Sequence, residues 1–547
     1  MSEEGAGVKV HAVVLSTAGN QNYIFGSNKR RENVGASHLI TRVEGEWLDR
    51  ALAEAGAAGG DGRRLRVEPD GLEVVTANAG GVTLLVSDPK VGKQIVGSIT
   101  EAALREAPGL DVCGAVGDAI EWGNAKEVAD GIANARELLA VARAKRRGPR
   151  LRFPGVPIAA RCGSSGLPAH RVVALQEGRL PEARSAPSLA KLNAFDAALL
   201  QLAVQMGLCP GDDENQKAVS RAALAQIVDH LNHKAEWVAV VHADGNGLGK
   251  VFQHFASIMG GDSRPADGYT EGLRGLSEGV DQCAREAFQS VFAKLRGSGW
   301  TAGTDEPPVL PLILGGDDLT VVCDGELALP FARGYLEEFT RRANEHPAVG
   351  GVLKKVEDLR GLGACAGVAI VKRQYPFHSA VHLAEELTGE AKVVKEELGQ
   401  DKSALSFHVL YESAFADLQR LRKQQTLADE DTCLTGQPYV VGTSGDAEWA
   451  RHRHWSDLER QVAALTARDD GSPVISGGQA HELRSALFRG REAAESRFKM
   501  VSTWLGEDAV QGLASDDSLF WHDGHVHRTG LLDALNAAPF LSLKGRS

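Results

Sequence analysis

At 547 residues the chain exceeds what one hydrophobic core can organise, since single cores stop growing near ~250 to 300 residues, and three or four domains are expected. A 43% apolar and 24% charged composition excludes a disordered chain, and a net charge of -12 with pI near 5.8 excludes a protein that coats nucleic acid by itself, because phosphate neutralisation needs clustered Lys and Arg. No stretch reaches the roughly 18 apolar residues of a membrane span and the N-terminus does not read as a signal peptide, so a cytoplasmic protein with no membrane partner is expected.

The first predicted element is a strand at 8–15, ending in Thr17-Ala18-Gly19-Asn20. Apolar spacing predicts a helix over 35–57, then two short strands at 72–76 and 82–86 around a turn at Asn78-Ala79-Gly80-Gly81. A helix near 91–106 and a strand at 110–116 follow. The basic run of Arg143, Lys145, Arg146, Arg147, Arg150 and Arg152 reads as a solvated face or linker. From 159 to 234 amphipathic patterns at 190–206 and 215–233 predict a small helical linker domain.

The same plan then recurs with more chemistry in it. A β-rich run at 236–243 breaks into Asp244-Gly245-Asn246-Gly247-Leu248-Gly249, and a helix is predicted over 272–294. Strands at 309–314 and 319–323 flank Gly315-Gly316-Asp317-Asp318, which reads as a tight hairpin. A helix at 327–343, a strand at 364–371, a helix at 377–398 and a further strand at 405–410 complete an order of strand, helix, hairpin, helix, strand that describes a ferredoxin-like palm. Beyond 414 helical patterns at 455–466 and 478–504 predict a helical end domain. The fold class read from these elements is α+β. It comprises a degenerate N-terminal palm (1–158), a helical linker domain (159–234), a catalytic palm (235–413) and a C-terminal helical domain (414–547).

In a palm the first strand and the hairpin lie side by side, so Asp244, Asp317 and Asp318 converge on one edge. Converging carboxylates repel unless a cation lies between them, and hard oxygen ligands suit Mg2+ or Mn2+. Two such ions activate an attacking hydroxyl and stabilise a leaving pyrophosphate. Gly315 and Gly316 leave room for a base or sugar, and Gly245, Gly247 and Gly249, with Asn246 between them, free backbone N–H groups for a triphosphate. Either Lys250 or Lys392 could neutralise its phosphates. A Gly-Gly-Asp-Asp tetrapeptide alone is an ordinary hairpin turn; its joint occurrence with a strand-borne acid and glycine loop upstream is specific. The first copy has Ala18 and a carboxylate-free turn at the two acid positions, so it is expected not to hold metal but either to position a second nucleotide or only to bury the other palm's sheet face. Lys29, Arg30, Arg31 and Ser37, near a helix start, would touch that nucleotide's phosphates. The seven scattered cysteines form no CxxC pair, and His452, His454, His522, His525 and His527 read as loop and surface residues.

The segments HADGNGLGKVF, LILGGDDLTVV, ACAGVAIVKRQYPF and AEELTGEAK resemble, in that order, the catalytic palm of the large polymerase-like subunit of type III CRISPR effector complexes. YIFGSNKRRENVGASHLI looks like that family's first palm, and the GGDD motif also resembles the more distant GGDEF diguanylate cyclases. The resemblance implies a nucleotidyltransferase that makes cyclic oligoadenylate second messengers from ATP in antiviral defence. It also implies other CRISPR-type subunits and guide or target RNA as partners. Asp244, Asp317 and Asp318 inherit the metal roles, and Gly315 and Gly316 the nucleotide-facing turn. The chain departs from the family in showing no His-Asp pair ahead of the first palm and in keeping only Cys162 of the family's zinc-binding set, so neither DNA cleavage nor zinc is expected. Two alternatives stand beside this reading. One is a non-catalytic nucleotide-binding scaffold or sensor; the other is a template-directed polymerase, disfavoured by the lack of a basic duplex channel.

Overall fold

The computed structural model describes residues 9–56, 71–174, 180–209, 213–258, 265–299, 303–356, 359–411, 417–429, 431–443, 447–515 and 518–541, without the side chains of Arg150 and Gln253. The expected strand start at Val8, helix end at Ala57 and boundary between 413 and 414 lie outside the described residues.

The first unit is a four-stranded antiparallel sheet of β1 (Lys9–Ala18), β2 (Leu72–Asn78), β3 (Gly81–Val86) and β4 (Asp111–Glu121), in the order β2-β3-β1-β4. Between β1 and β2 run α1 (Asn20–Phe25), α2 (Arg30–Thr41) and α3 (Glu46–Glu54). The single helix expected over 35–57 is therefore two, because Gly45 takes a non-helical backbone and caps the start of α3. Helix α4 (Pro89–Glu106) begins at Asp88, whose carboxylate accepts the Lys90 N–H. Helix α5 (Ala125–Lys145) escaped the sequence reading because alanine dilutes its apolar stripe; buried Val128, Ile132, Ala135 and Leu139 nevertheless share one face. It also changes the meaning of the basic run at its end. Arg143 donates to the carbonyls of Ser16 and Thr17, Arg146 to that of Val112 at 2.6 Å, and Arg146 and Arg152 flank Asp111, so these three arginines fasten the ends of β1 and β4, while Lys145 and Arg147 stand exposed as a solvated face would.

The connecting segment holds a two-stranded hairpin, β5 (Arg171–Val173) and β6 (Glu182–Arg184), and the helices α6 (Ala186–Asn193), α7 (Phe195–Gln205) and α8 (Glu214–Asp229). A second sheet follows, built from β7 (Trp237–Gly245), β8 (Val309–Gly315), β9 (Asp318–Asp324), β10 (Ala364–Lys372) and β11 (Ser403–Leu410). Its first four strands run β10-β7-β9-β8, the same order as the first sheet, with β11 added parallel to β10. Short helices α9 (Leu248–Gln253) and α10 (Phe255–Ile258) lead to α11 (Ala266–Gly297), and α12 (Gly325–Glu345), α13 (Pro347–Leu353) and α14 (Phe377–Ala391) complete the unit. Asp324 ends β9 and caps α12, and it also meets the buried His230 at 2.8 Å. The helix expected over 377–398 ends at Ala391, before a further turn of helix, α15 (Val394–Glu397).

The C-terminal part is less purely helical than expected. After α16 (Leu418–Gln424) come β12 (Thr432–Cys433) and β13 (Tyr439–Val441); β13 pairs with β11 and extends the second sheet to six strands. The pattern at 455–466 is α17 (Trp455–Thr466), and β14 (Arg468–Asp469) pairs with β15 (Ser472–Pro473). The helix expected over 478–504 is divided at Gly490 into α18 (Gly477–Leu487) and α19 (Arg491–Leu505), Gly490 standing at φ +121°. Beyond α20 (Glu507–Val510), β16 (Trp521–Asp523) and β17 (Val526–Arg528) join β12 in a three-stranded sheet, and α21 (Leu531–Leu541) packs on α17 and α12. Strands of two or three residues carry too few alternations to show as a period.

Candidate active site

Strand β7 is buried on both faces until Asp244, where it meets the β8–β9 hairpin. The hairpin turns through Gly315, Gly316 and Asp317, with Gly316 at φ +61°, a left-handed conformation that a side chain would strain. The two turns touch: a Cβ at Gly245 would stand 2.9 Å from the Cβ of Asp317, so only glycine lets the strand end lie against the hairpin. This brings Asp244, Asp317 and Asp318 to one edge of the sheet.

The electrostatics show the strain of that gathering. Burial, reinforced by the charge of Asp244, pushes Asp317 up to about 6. Burial, then the charges of Asp317 and Asp244, raise Asp318 as well. Lys392, at the end of α14, places its ammonium on Asp244. Beneath Asp244, His242 Nδ1 meets Thr320 Oγ1 at 3.0 Å, and Thr388 Oγ1 donates to the His242 carbonyl. Burial lowers the affinity of His242 for a proton and keeps the ring neutral.

The donor set fits a hard divalent cation in its chemistry: three gathered carboxylates, two of them raised by burial and by their neighbours' charge, with one lysine beside the third. Among the described residues no three His, Cys, Asp or Glu side chains stand as a preformed metal-holding group. The compensation by Lys392 would have to give way for a cation to enter.

The edge opens on a cavity of about 1350 Å3 between the two sheets. Asp318, Gly315 and His242 line it from the second sheet, and Arg274, Asp281 and Arg285 from α11. The first sheet contributes both of its glycine turns, Ala18-Gly19-Asn20 and Asn78-Ala79-Gly80, together with Ser37. The two units are sewn together across this cavity. Arg274 donates to the Val74 carbonyl at 2.9 Å and pairs with Glu73, and Asn78 Nδ2 donates to Ser277 Oγ at 2.5 Å.

Other residues singled out in the sequence stand elsewhere. Lys250 is exposed on α9 and does not line the cavity, and neither do Gly245, Gly247 and Gly249. Asn246 is buried and turned inward, its amide donating to the Lys402 carbonyl at 2.8 Å, while Gly247 caps α9 at φ +77°. Arg30 and Arg31, expected at phosphates, lie instead over the rings of Phe377 and Phe195, at 3.8 and 5.3 Å. Arg30 is buried, which lowers it to about 10. His522 and His527 face one another across β16 and β17 with ring centroids 4.1 Å apart, far along the chain from the carboxylates. Asp281, which accepts the Gly316 N–H at 3.3 Å, was missed, because a single acid on a long helix carries no motif.

Residues 237–404 match the family described as Cas10/Cmr2, second palm domain, so the second unit is a Cas10-type palm and the resemblance read from its four segments holds. No curated protein matches the chain. Among solved structures, a Csm1-Csm4 cassette in complex with one ATP is 14% identical over 97% of this chain and 70% of its own, with a TM-score of 0.50. The same cassette in complex with pppApApA is 13% identical over 98% and 71%, also at 0.50. Csm1 from T. onnurineus is 13% identical over 92% and 64%, at 0.48. At these identities the likeness is one of fold. No helix among the described residues is long and apolar enough to cross a membrane.

Proposed function

We propose that this chain is a divalent-metal-dependent nucleotidyltransferase that joins ATP into oligoadenylates, linear or cyclic, as the large subunit of a type III CRISPR-like assembly in antiviral defence. The observation that carries the reading is the meeting of Asp244, Asp317 and Asp318 at a sheet edge that opens on the cavity between the two units. The three carboxylates would hold Mg2+ or Mn2+, which when bound activates the attacking hydroxyl and stabilises the leaving pyrophosphate. The bare backbone of Gly315 and Gly316 leaves space for a donor nucleotide. Lys392, displaced from Asp244 as the cation takes its place, becomes available to the phosphates. The first unit, which lacks acids at the strand end and hairpin turn where the second has them, holds the acceptor nucleotide with its glycine turns and Ser37, so its contribution is orientation. Adenine as the base is supported by the cassettes solved with ATP and pppApApA. Those cassettes also support a further protein subunit as partner; guide or target RNA is proposed from the resemblance.

A second reading is a subunit that binds ATP without turning it over. The Lys392–Asp244 ion pair favours it, because the acids are compensated without a cation. The full chain incubated with each nucleoside triphosphate and Mg2+ or Mn2+, with pyrophosphate and products followed by mass spectrometry, is expected to consume ATP in preference to GTP. Asp317→Ala with Asp318→Ala is expected to abolish product; activity untouched by that pair would sink the assignment. Metal-dependent ATP binding with no product, even with activating RNA and partner subunits, would establish the second reading.

A further inference from the structure

The loop that leads into α2 is held firmly. Asn33, wholly buried, donates to the carbonyls of Ile24 at 2.6 Å and Ser27 at 2.9 Å, and Ser27 Oγ accepts the Lys29 N–H at 3.1 Å. From this loop Asn28 Oδ1 accepts the Phe377 N–H at 2.9 Å. Phe377 is the first residue of α14 and Lys29 immediately precedes α2, so the starts of two helices, one from each unit, meet at this contact. Neither start carries a side-chain cap. Glu32, the acid in the first turn of α2, is engaged by Arg184 and Ser188, and the first turn of α14 has no acid. Two positive helix ends therefore face one joint with no anion to answer them.

A full positive charge is buried at the same place. Arg30 is 5% exposed, and its guanidinium lies 3.8 Å over the ring of Phe377. Its Nε and Nη1 have no hydrogen-bond partner, and no carboxylate among the described residues pairs with it. The ring offsets part of the cost of burying this charge. The rest stands uncompensated, although buried guanidinium groups are ordinarily paired because burial strips them of hydration. Lys29 and His378, on either side of the contact, are exposed, so the rim of the joint is open to solvent and is itself basic. Arg30 does not line the cavity between the two sheets, so the joint is a place apart from the three acids.

We propose that the joint between the starts of α2 and α14 is a binding site for a phosphate dianion, held by the Arg30 guanidinium and the positive ends of both helices. Helix ends of this kind are ready-made phosphate sites, and a guanidinium presents its donors in the geometry that phosphate oxygens accept. The bound anion ties the first unit to the second, because α2 carries Val34 and Ser37 to one wall of the cavity and α14 leads to Lys392 beside Asp244. The site stands whether or not the three acids hold metal.

The test titrates inorganic phosphate into the full chain by calorimetry, without metal or nucleotide and with sodium chloride holding the ionic strength constant. One phosphate per chain is expected to bind, and to raise the melting temperature. Arg30→Met keeps the apolar stem and removes the charge; it is expected to weaken phosphate binding at least about tenfold and to abolish the rise in melting temperature. His378→Glu, at an exposed position in the first turn of α14, supplies a carboxylate to the same joint and is expected to weaken phosphate binding severalfold, with circular dichroism unchanged. Absence of binding to the unaltered chain overturns the proposal, and so does an affinity unchanged by Arg30→Met. Should Arg30→Met not fold, an affinity unchanged by His378→Glu overturns it instead. Metal-free ATP added to the phosphate-loaded chain, followed by phosphorus NMR, separates the sources: release of inorganic phosphate assigns the site to a nucleotide's phosphates, and retention assigns it to free phosphate, each in support of the site.

Discussion

His408, on β11, is an imidazole held where it resists protonation. Burial lowers its affinity for a proton, the nearby Arg422 guanidinium lowers it further and Glu390 only partly offsets them, leaving it at about 4. In the unfolded chain the same ring protonates near ~6.5. Below that pH the unfolded state binds a proton that the folded state refuses, so this group's contribution to stability is full above ~6.5 and is lost as pH falls through about 4. Thermal melts at pH 7 and pH 4.5 are expected to show a smaller drop for His408→Gln than for the unaltered chain, and equal drops would contradict the assignment. This pairing was invisible in the sequence, as was Arg30 against Phe377, because partners far apart in the chain leave no local pattern. Asp244, Asp317 and Asp318 were legible for the opposite reason, since Asp244 precedes Gly245 and the Asp317-Asp318 pair follows Gly315 and Gly316, in glycine-rich breaks that no helix or strand interior favours.

Among elements, the long regular ones were legible and the short or alanine-rich ones were not. Strands β7 to β11 announce themselves by continuous apolar runs, whereas α5 hides behind alanines and β12 to β17 are two or three residues long. The consequence is largest at β13, which reaches back from the C-terminal part to pair with β11. Its neighbourhood is organised by Asp533 of α21, a fully buried carboxylate raised by that burial. It accepts from Thr435 Oγ1 at 3.0 Å, the Gly436 N–H at 2.8 Å, Gln437 Nε2 at 3.0 Å and Tyr439 Oη at 2.9 Å. Gln437 in turn accepts the Phe407 N–H of β11 at 2.6 Å. Asp533→Ala orphans four buried donors at once and is expected to cost about 3 to 5 kcal/mol, seen as a lower denaturant midpoint. A midpoint within error of the unaltered chain would show that the network is dispensable.

At the scale of the whole molecule, two sheets of one strand order face each other across the cavity, and α11 is the beam between them. Arg274 ties that beam to the edge strand β2 through Glu73 and Val74. Arg274→Ala is expected to weaken ATP binding by calorimetry roughly tenfold, a loss of about 1.4 kcal/mol, while helix content by circular dichroism stays as it was. Unchanged affinity would mean that the first sheet keeps its place without this tie. The same geometry has a consequence for how the protein is made. Asn78 leaves the ribosome roughly 240 residues ahead of Asp318, which at about 5 to 20 residues per second means that one wall of the cavity exists for some tens of seconds before the other is translated. During that interval β2 offers an unpaired edge to solvent, so a nascent chain stalled before α11 is a natural client for chaperones that recognise open strands.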